Sequence, residues 1–100
     1  MKTLDKTTLT KLAWTTALRT QGHRRCDGEF CHGNLRCALG LLGEVAGLTP
    51  FKMKRIKSGH AIGRLAGLTP HQSAYVWQAN DNGVTWPEIA DHIEAGWFNS

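Results

Sequence analysis

Apolar residues recur along this chain mostly at helical spacing. The clearest run is Trp86, Ile89, Ala90, Ile93 and Trp97. These positions draw one apolar stripe on a helix, with Glu88, Asp91 and Glu94 on its other faces. The start of that helix is punctuated. Asn80-Asp81-Asn82-Gly83 is a turn signal, because Asn and Asp tolerate left-handed backbone and Gly adopts it freely. Thr85 then offers its hydroxyl to the Glu88 N–H, and Pro87 falls in the first turn, where its missing N–H is not needed. Gly96 ends the run.

A second run, Leu35, Ala38, Leu39, Leu42, Val45 and Ala46, predicts the most apolar helix, over 35–46, with Asn34 as its N-cap. That helix belongs at the centre of the core. Leu9, Leu12, Ala13, Thr16 and Ala17 predict an earlier helix over 8–20, with Trp14 and Leu18 widening its core face. Residues 1–7 are polar and expected to fray. Ala46-Gly47-Leu48-Thr49-Pro50 recurs as Ala66-Gly67-Leu68-Thr69-Pro70, twenty residues on. Each copy stops one helix at Gly and starts the next with Thr as N-cap and Pro as first residue. Short helices near 50–57 and 60–66 follow, and a longer one over 70–79. Two copies are too few for a solenoid. Asp27-Gly28 is a tight-turn dipeptide and predicts a very short β-hairpin near 24–31. The expected fold is all-α: one compact domain, 1–100, of four to six short helices with that small hairpin.

Length agrees, since 100 residues with 41% apolar content suit one domain with its own core. No apolar run approaches the ~20 residues of a membrane span. Lys6, Lys11 and several threonines interrupt the N-terminus where a secretory peptide is apolar. The expected location is the cytoplasm, where the cysteines stay reduced.

The net charge of +4 is unevenly spread. Lys52, Lys54, Arg55, Lys57 and Arg64 lie in a segment with no acid. Asp81, Glu88, Asp91 and Glu94 lie in a segment with no Lys or Arg. One pole suits an acidic partner such as nucleic acid, whose condensed counterions Lys and Arg release. The other suits a basic partner. Four tryptophans are many for this length, and Trp97-Phe98, beyond Gly96, has the chemistry of a protein-interface anchor.

Three thiols and two imidazoles fall in fifteen residues, His23, Cys26, Cys31, His32 and Cys37. His23, Cys26, Cys31 and Cys37 would complete a tetrahedral zinc site. The spacing is not a paired C-x2-C knuckle, and Cys37 falls on an apolar helix, so the reading assigns no cofactor and keeps zinc as an alternative. A nucleophilic cysteine needs a stabilised thiolate. Arg24, Arg25 and Arg36 are near in sequence, but no Gly-rich phosphate loop, G-x-S-x-G elbow or H-E-x-x-H motif accompanies them. The expectation is a protein that is not an enzyme.

Asn80, Asp81, Gly83, Glu88, Ile89, Ala90, Ile93 and Glu94, with Trp86, resemble the signature N-D-x-G-x-x-[FW]-x-E-I-A-x-x-I-E. It closes a family of small, uncharacterised proteins of tailed bacteriophages and prophages. Trp14 to Arg19 with Gly22 resembles that family's W-x-x-A-L-R-S-G opening, and Cys37-Ala38-Leu39-Gly40 its C-C-L-G helix. Arg36 stands where the family has its first Cys, so a vicinal pair is not carried over. The resemblance implies a phage origin and a fold, and no activity. With the charge pattern, it leads to the expectation of a phage accessory protein in the host bacterial cell that binds and blocks a host macromolecule. A defence nuclease, a CRISPR complex or the transcription apparatus would be such a target. Its binding face would be Glu88, Asp91, Glu94, Trp97 and Phe98. The alternative is a small nucleic-acid-binding protein using Lys52, Lys54, Arg55, Lys57 and Arg64; a zinc-stabilised adaptor is the second alternative.

Overall fold

The computed structural model describes residues 5–26, 31–56 and 58–95, without the side chains of Cys31 and His32. The protein is an all-α domain. Six helices are described: α1 (Lys6–Thr20), α2 (Ala38–Val45), α3 (Pro50–Arg55), α4 (Gly59–Gly63), α5 (Pro70–Asp81) and α6 (Trp86–Glu94). Single 3₁₀ turns stand at Gly22–Arg24 and Arg64–Ala66, and a two-strand hairpin pairs β1 (Cys31–His32) with β2 (Leu35–Arg36). No helix among the described residues is long and apolar enough to cross a membrane.

The helix starts follow the local signals. Thr49 accepts the Lys52 N–H at 3.2 Å, and Thr69 forms a reciprocal capping box with Gln72. Pro50 and Pro70 occupy the first turns. Gly47 and Gly67 hold left-handed backbone, φ +96° and +78°, after the preceding helices, a conformation that costs an L side chain energy. The repeated segment is thus one helix–turn–helix punctuation used twice. In α6, Thr85 accepts the Glu88 N–H, and Trp86, Ile89, Ala90 and Ile93 are buried as the stripe predicts. Trp97 and Gly96 lie outside the described residues.

Several boundaries and one helix face differ from expectation; α5, for one, runs on to Asp81 through the start of the Asn-Asp-Asn-Gly signal. α1 begins at Lys6, where the Asp5 carboxylate accepts the Thr8 N–H at 2.8 Å, so residues 5–7 belong to a capped helix. Its buried face is Trp14, Thr15, Ala17 and Leu18, while Leu9 and Leu12 are half exposed. Trp14 sets that rotation: its indole N–H donates to the Ala38 carbonyl at 2.8 Å in the interior. The hairpin lies at 31–36, with Cys31 opposite Arg36 and His32 opposite Leu35, and Gly33 at φ +60° opens its two-residue turn. The Asp27-Gly28 turn lies outside the described residues. Because Leu35 and Arg36 are drawn into β2, α2 starts later than expected, and its N-cap is Cys37, whose sulfur accepts the Gly40 N–H, not Asn34.

α2 is buried from Ala38 to Gly43 and lies at the centre of the domain. α1, α4 and α5 pack around it, and α6 lies against α1 and α5. Asn80 ties these pieces together. It is fully buried at the end of α5. Its Oδ1 accepts from the Ala38 N–H at 3.1 Å and from the Trp86 indole N–H at 2.8 Å, and its Nδ2 donates to the Cys26 carbonyl at 2.9 Å.

Candidate binding surfaces

The structure sorts the cations into two kinds. Arg24, Arg25 and Arg36 are internal ties. Arg24 holds Glu44 with two parallel bonds of 2.7 Å, and Arg36, 5% exposed, reaches the same carboxylate at 3.2 Å. A fork-to-fork pair of this geometry is strong and directional. The Glu44 carboxyl is held below its ordinary range, first by the Arg24 hydrogen bonds. Arg25 donates to the carbonyls of Val84 and Asn80, fastening the 21–26 segment to the α5–α6 turn.

None of these arginines lowers the Cys37 thiol. Burial pushes the Cys37 thiol up to about 11, against weaker lowering by the Gly40 and Leu39 N–H groups. At neutral pH it is a protonated, inert cap. Cys26 donates its N–H to the Arg36 carbonyl at 2.7 Å and so lies alongside Cys37. Of the remaining zinc candidates, His23 is exposed on a 3₁₀ turn and the Cys31 side chain lies outside the described residues. Among the described residues no three His, Cys, Asp or Glu side chains converge as a metal site.

The acidic face of α6 is not left open. Asp91 and Glu94 are both bridged by Arg19, at 2.7 Å each. No Lys or Arg follows residue 64, but this one arrives from α1, which packs against α6. Arg19 holds the Glu94 carboxyl below its ordinary range. Glu88 stays exposed. Trp97 and Phe98 lie outside the described residues. Beside this pair runs a groove of about 220 Å³ between α1 and α6, lined by Thr8, Lys11, Leu12, Thr15, Ile93 and Glu94.

The basic pole is different. α3 buries Met53 completely, and Ile56 is half-buried behind it, as the spacing predicts. Lys52, Lys54 and Arg55 all face solvent, and Arg64 is exposed on the 3₁₀ turn after α4. Among the described residues no carboxylate pairs with any of the four. Lys57 lies outside the described residues. The structure adds one residue that charge counting passes over. Phe51 is 70% exposed, and the Arg55 guanidinium stands 5.6 Å from its ring centroid. The signal was present in the spacing: with Met53 inward, a residue two positions earlier points away from the core.

Comparison of the chain with protein-family models, with curated proteins and with solved structures yields no match in any of the three.

Proposed function

We propose that this protein works by binding rather than by chemistry, and that it binds nucleic acid through its basic pole. The observation that carries the reading is the exposed set Lys52, Lys54, Arg55 and Arg64, with no carboxylate among the described residues to neutralise it. Three other arginines are consumed inside the fold, and a fourth by the acidic helix. Four unpaired cations thus gather on α3 and the turn after α4, while Lys6 and Lys11 stand apart on α1. Cations on a rigid helix, held by Met53 in the core, gain affinity by releasing counterions from phosphates.

In the phage setting, which rests on the resemblance alone, occupying nucleic acid would block a host machine that needs the same strand. The expectation that α6 is the working face ranks second. Arg19 pairs with two of the three carboxylates on that helix, which leaves Glu88 to attract a basic partner. Partner choice by electrostatic complementarity weakens accordingly.

The test is fluorescence anisotropy with labelled single-stranded and duplex 20-mers over a series of salt concentrations. Affinity should fall steeply with salt, and Lys54→Ala and Arg55→Ala should each reduce the slope of log K against log salt by about one unit on duplex. Asp91→Lys should not weaken binding. Affinity below that of a 10⁻⁴ M complex for both forms at physiological salt, on the order of the weakest non-specific binding, removes the reading.

A further inference from the structure

We infer that the basic pole is built for single-stranded nucleic acid, with Phe51 as the platform on which an unpaired base stacks. This deepens the nucleic-acid reading and rests on it.

The argument starts from the geometry of α3. Successive residues of a helix are turned by about 100°. With Met53 pointing into the core, the positions diametrically outward are Phe51 and Arg55, and Lys52 and Lys54 fall on either flank. The observed exposure follows this order: Met53 is buried, and the other four are exposed. An aromatic ring therefore stands on the crest of the helix with a cation on each side and a guanidinium beside it. No other large apolar side chain among the described residues is as exposed as Phe51.

Phe has no polar atom with which to read a base edge. What it offers is a flat face. A base presents a matching face only when it has left the duplex stack, so ring and strand select each other. Arg55, 5.6 Å from the ring centroid, both orients the ring and adds a cation–π surface to the platform. Lys52 and Lys54 can meet phosphates on the two sides of the stacked nucleotide. Duplex readout fits less well. A recognition helix needs Asn, Gln or Arg aimed at base edges from within the major groove. α3 has six residues, a length of roughly 9 Å, and it places Phe on its crest.

The experiment compares binding of labelled dT20, a 20-base-pair duplex, and vesicles of mixed phosphatidylserine and phosphatidylcholine. Wild-type protein should bind dT20 more tightly than duplex. Phe51→Ala should weaken dT20 binding by about 5- to 150-fold, the loss of one stacked base, with the salt slope unchanged. Phe51→Trp should retain affinity. Lys52→Ala should instead reduce the slope by about 0.7, one phosphate contact to a single strand. Phe51 is exposed, and far-UV circular dichroism checks that each variant is folded. If both nucleic acids bind and Phe51→Ala changes neither, this inference fails while the nucleic-acid reading stands. If Phe51→Ala weakens duplex and dT20 alike, single-strand selection is refuted. Phe51-dependent partition onto the anionic vesicles without dT20 binding assigns the surface to lipid and refutes it too. If neither nucleic acid binds, both readings fall.

Discussion

Replacing Asn80 with Ala tests whether one buried amide holds four segments together. The side chain satisfies the Ala38 N–H, the Trp86 indole N–H and the Cys26 carbonyl. Ala38 and Trp86 are 0% and 1% exposed, so neither donor can turn to water once the amide is gone. Each buried donor left without a partner costs about 1–3 kcal/mol. The bond to the Cys26 carbonyl is only partly buried and adds less. Together the loss should be about 3–6 kcal/mol, out of a total near 5–15 kcal/mol for a domain. Urea unfolding followed by tryptophan fluorescence and circular dichroism measures it, read at constant m-value. Asn82→Ala is the control: Asn82 sits in the same turn but is exposed, and its loss should cost under ~1 kcal/mol. A cost below ~1 kcal/mol for Asn80→Ala, or equal costs at the two positions, would refute the claim that this amide joins α2, α5, α6 and the 21–26 segment.

Ile93 is 2% exposed on the α6 stripe, so Ile93→Ala should destabilise by about 2–5 kcal/mol, read from chemical denaturation. The Cys37 thiol, raised from 9.0 to about 11 by burial, makes the fold pH-sensitive on the alkaline side. Its contribution is fully present below the unfolded value and is lost as pH rises through the folded one. Wild-type stability relative to Cys37→Ser, which keeps a capping group, should therefore fall by on the order of 2–3 kcal/mol between pH 8 and 11; a flat difference would contradict the burial argument. The Ser73 hydroxyl is buried with no hydrogen-bond partner among the described residues, so Ser73→Ala should stabilise by about 1 kcal/mol. A Cβ added at Gly63 would lie 1.9 Å from that hydroxyl oxygen. Gly63→Ala should accordingly be better tolerated in the Ser73→Ala background, which a double-mutant cycle reads directly.

The helix starts at Thr49-Pro50, Thr69-Pro70 and Thr85, the α6 stripe and the central apolar helix were legible in the amino-acid order, because each signal is closed within one or two turns. Asn80 is visible in the sequence, but its role is not. Its place in an Asn-Asp-Asn-Gly run marks a turn, yet it is the last buried residue inside α5. The candidate surfaces are the least legible part. Charge alone marks Lys52, Lys54, Arg55 and Arg64, but it does not mark Phe51, and it does not show that Arg19 pairs with Asp91 and Glu94.

By itself the sequence determined where α3, α5 and α6 begin, and that the fold is all-α. A cap and its N–H lie three residues apart, and an apolar stripe repeats with the helix, so both are written locally. Tertiary structure decided the rest. The Trp14 bond to Ala38 turned α1 until Leu12 faced solvent. Pairing with Cys31-His32 took Leu35-Arg36 out of α2 and moved its cap to Cys37. Arg19 reached Asp91 and Glu94 from the far end of the chain. Helix faces, strand partners and ion pairs depend on what stands opposite, and that is set only when distant segments pack. Lys52, Lys54, Arg55 and Arg64, on α3 and the turn after α4, keep no carboxylate partner after that packing among the described residues.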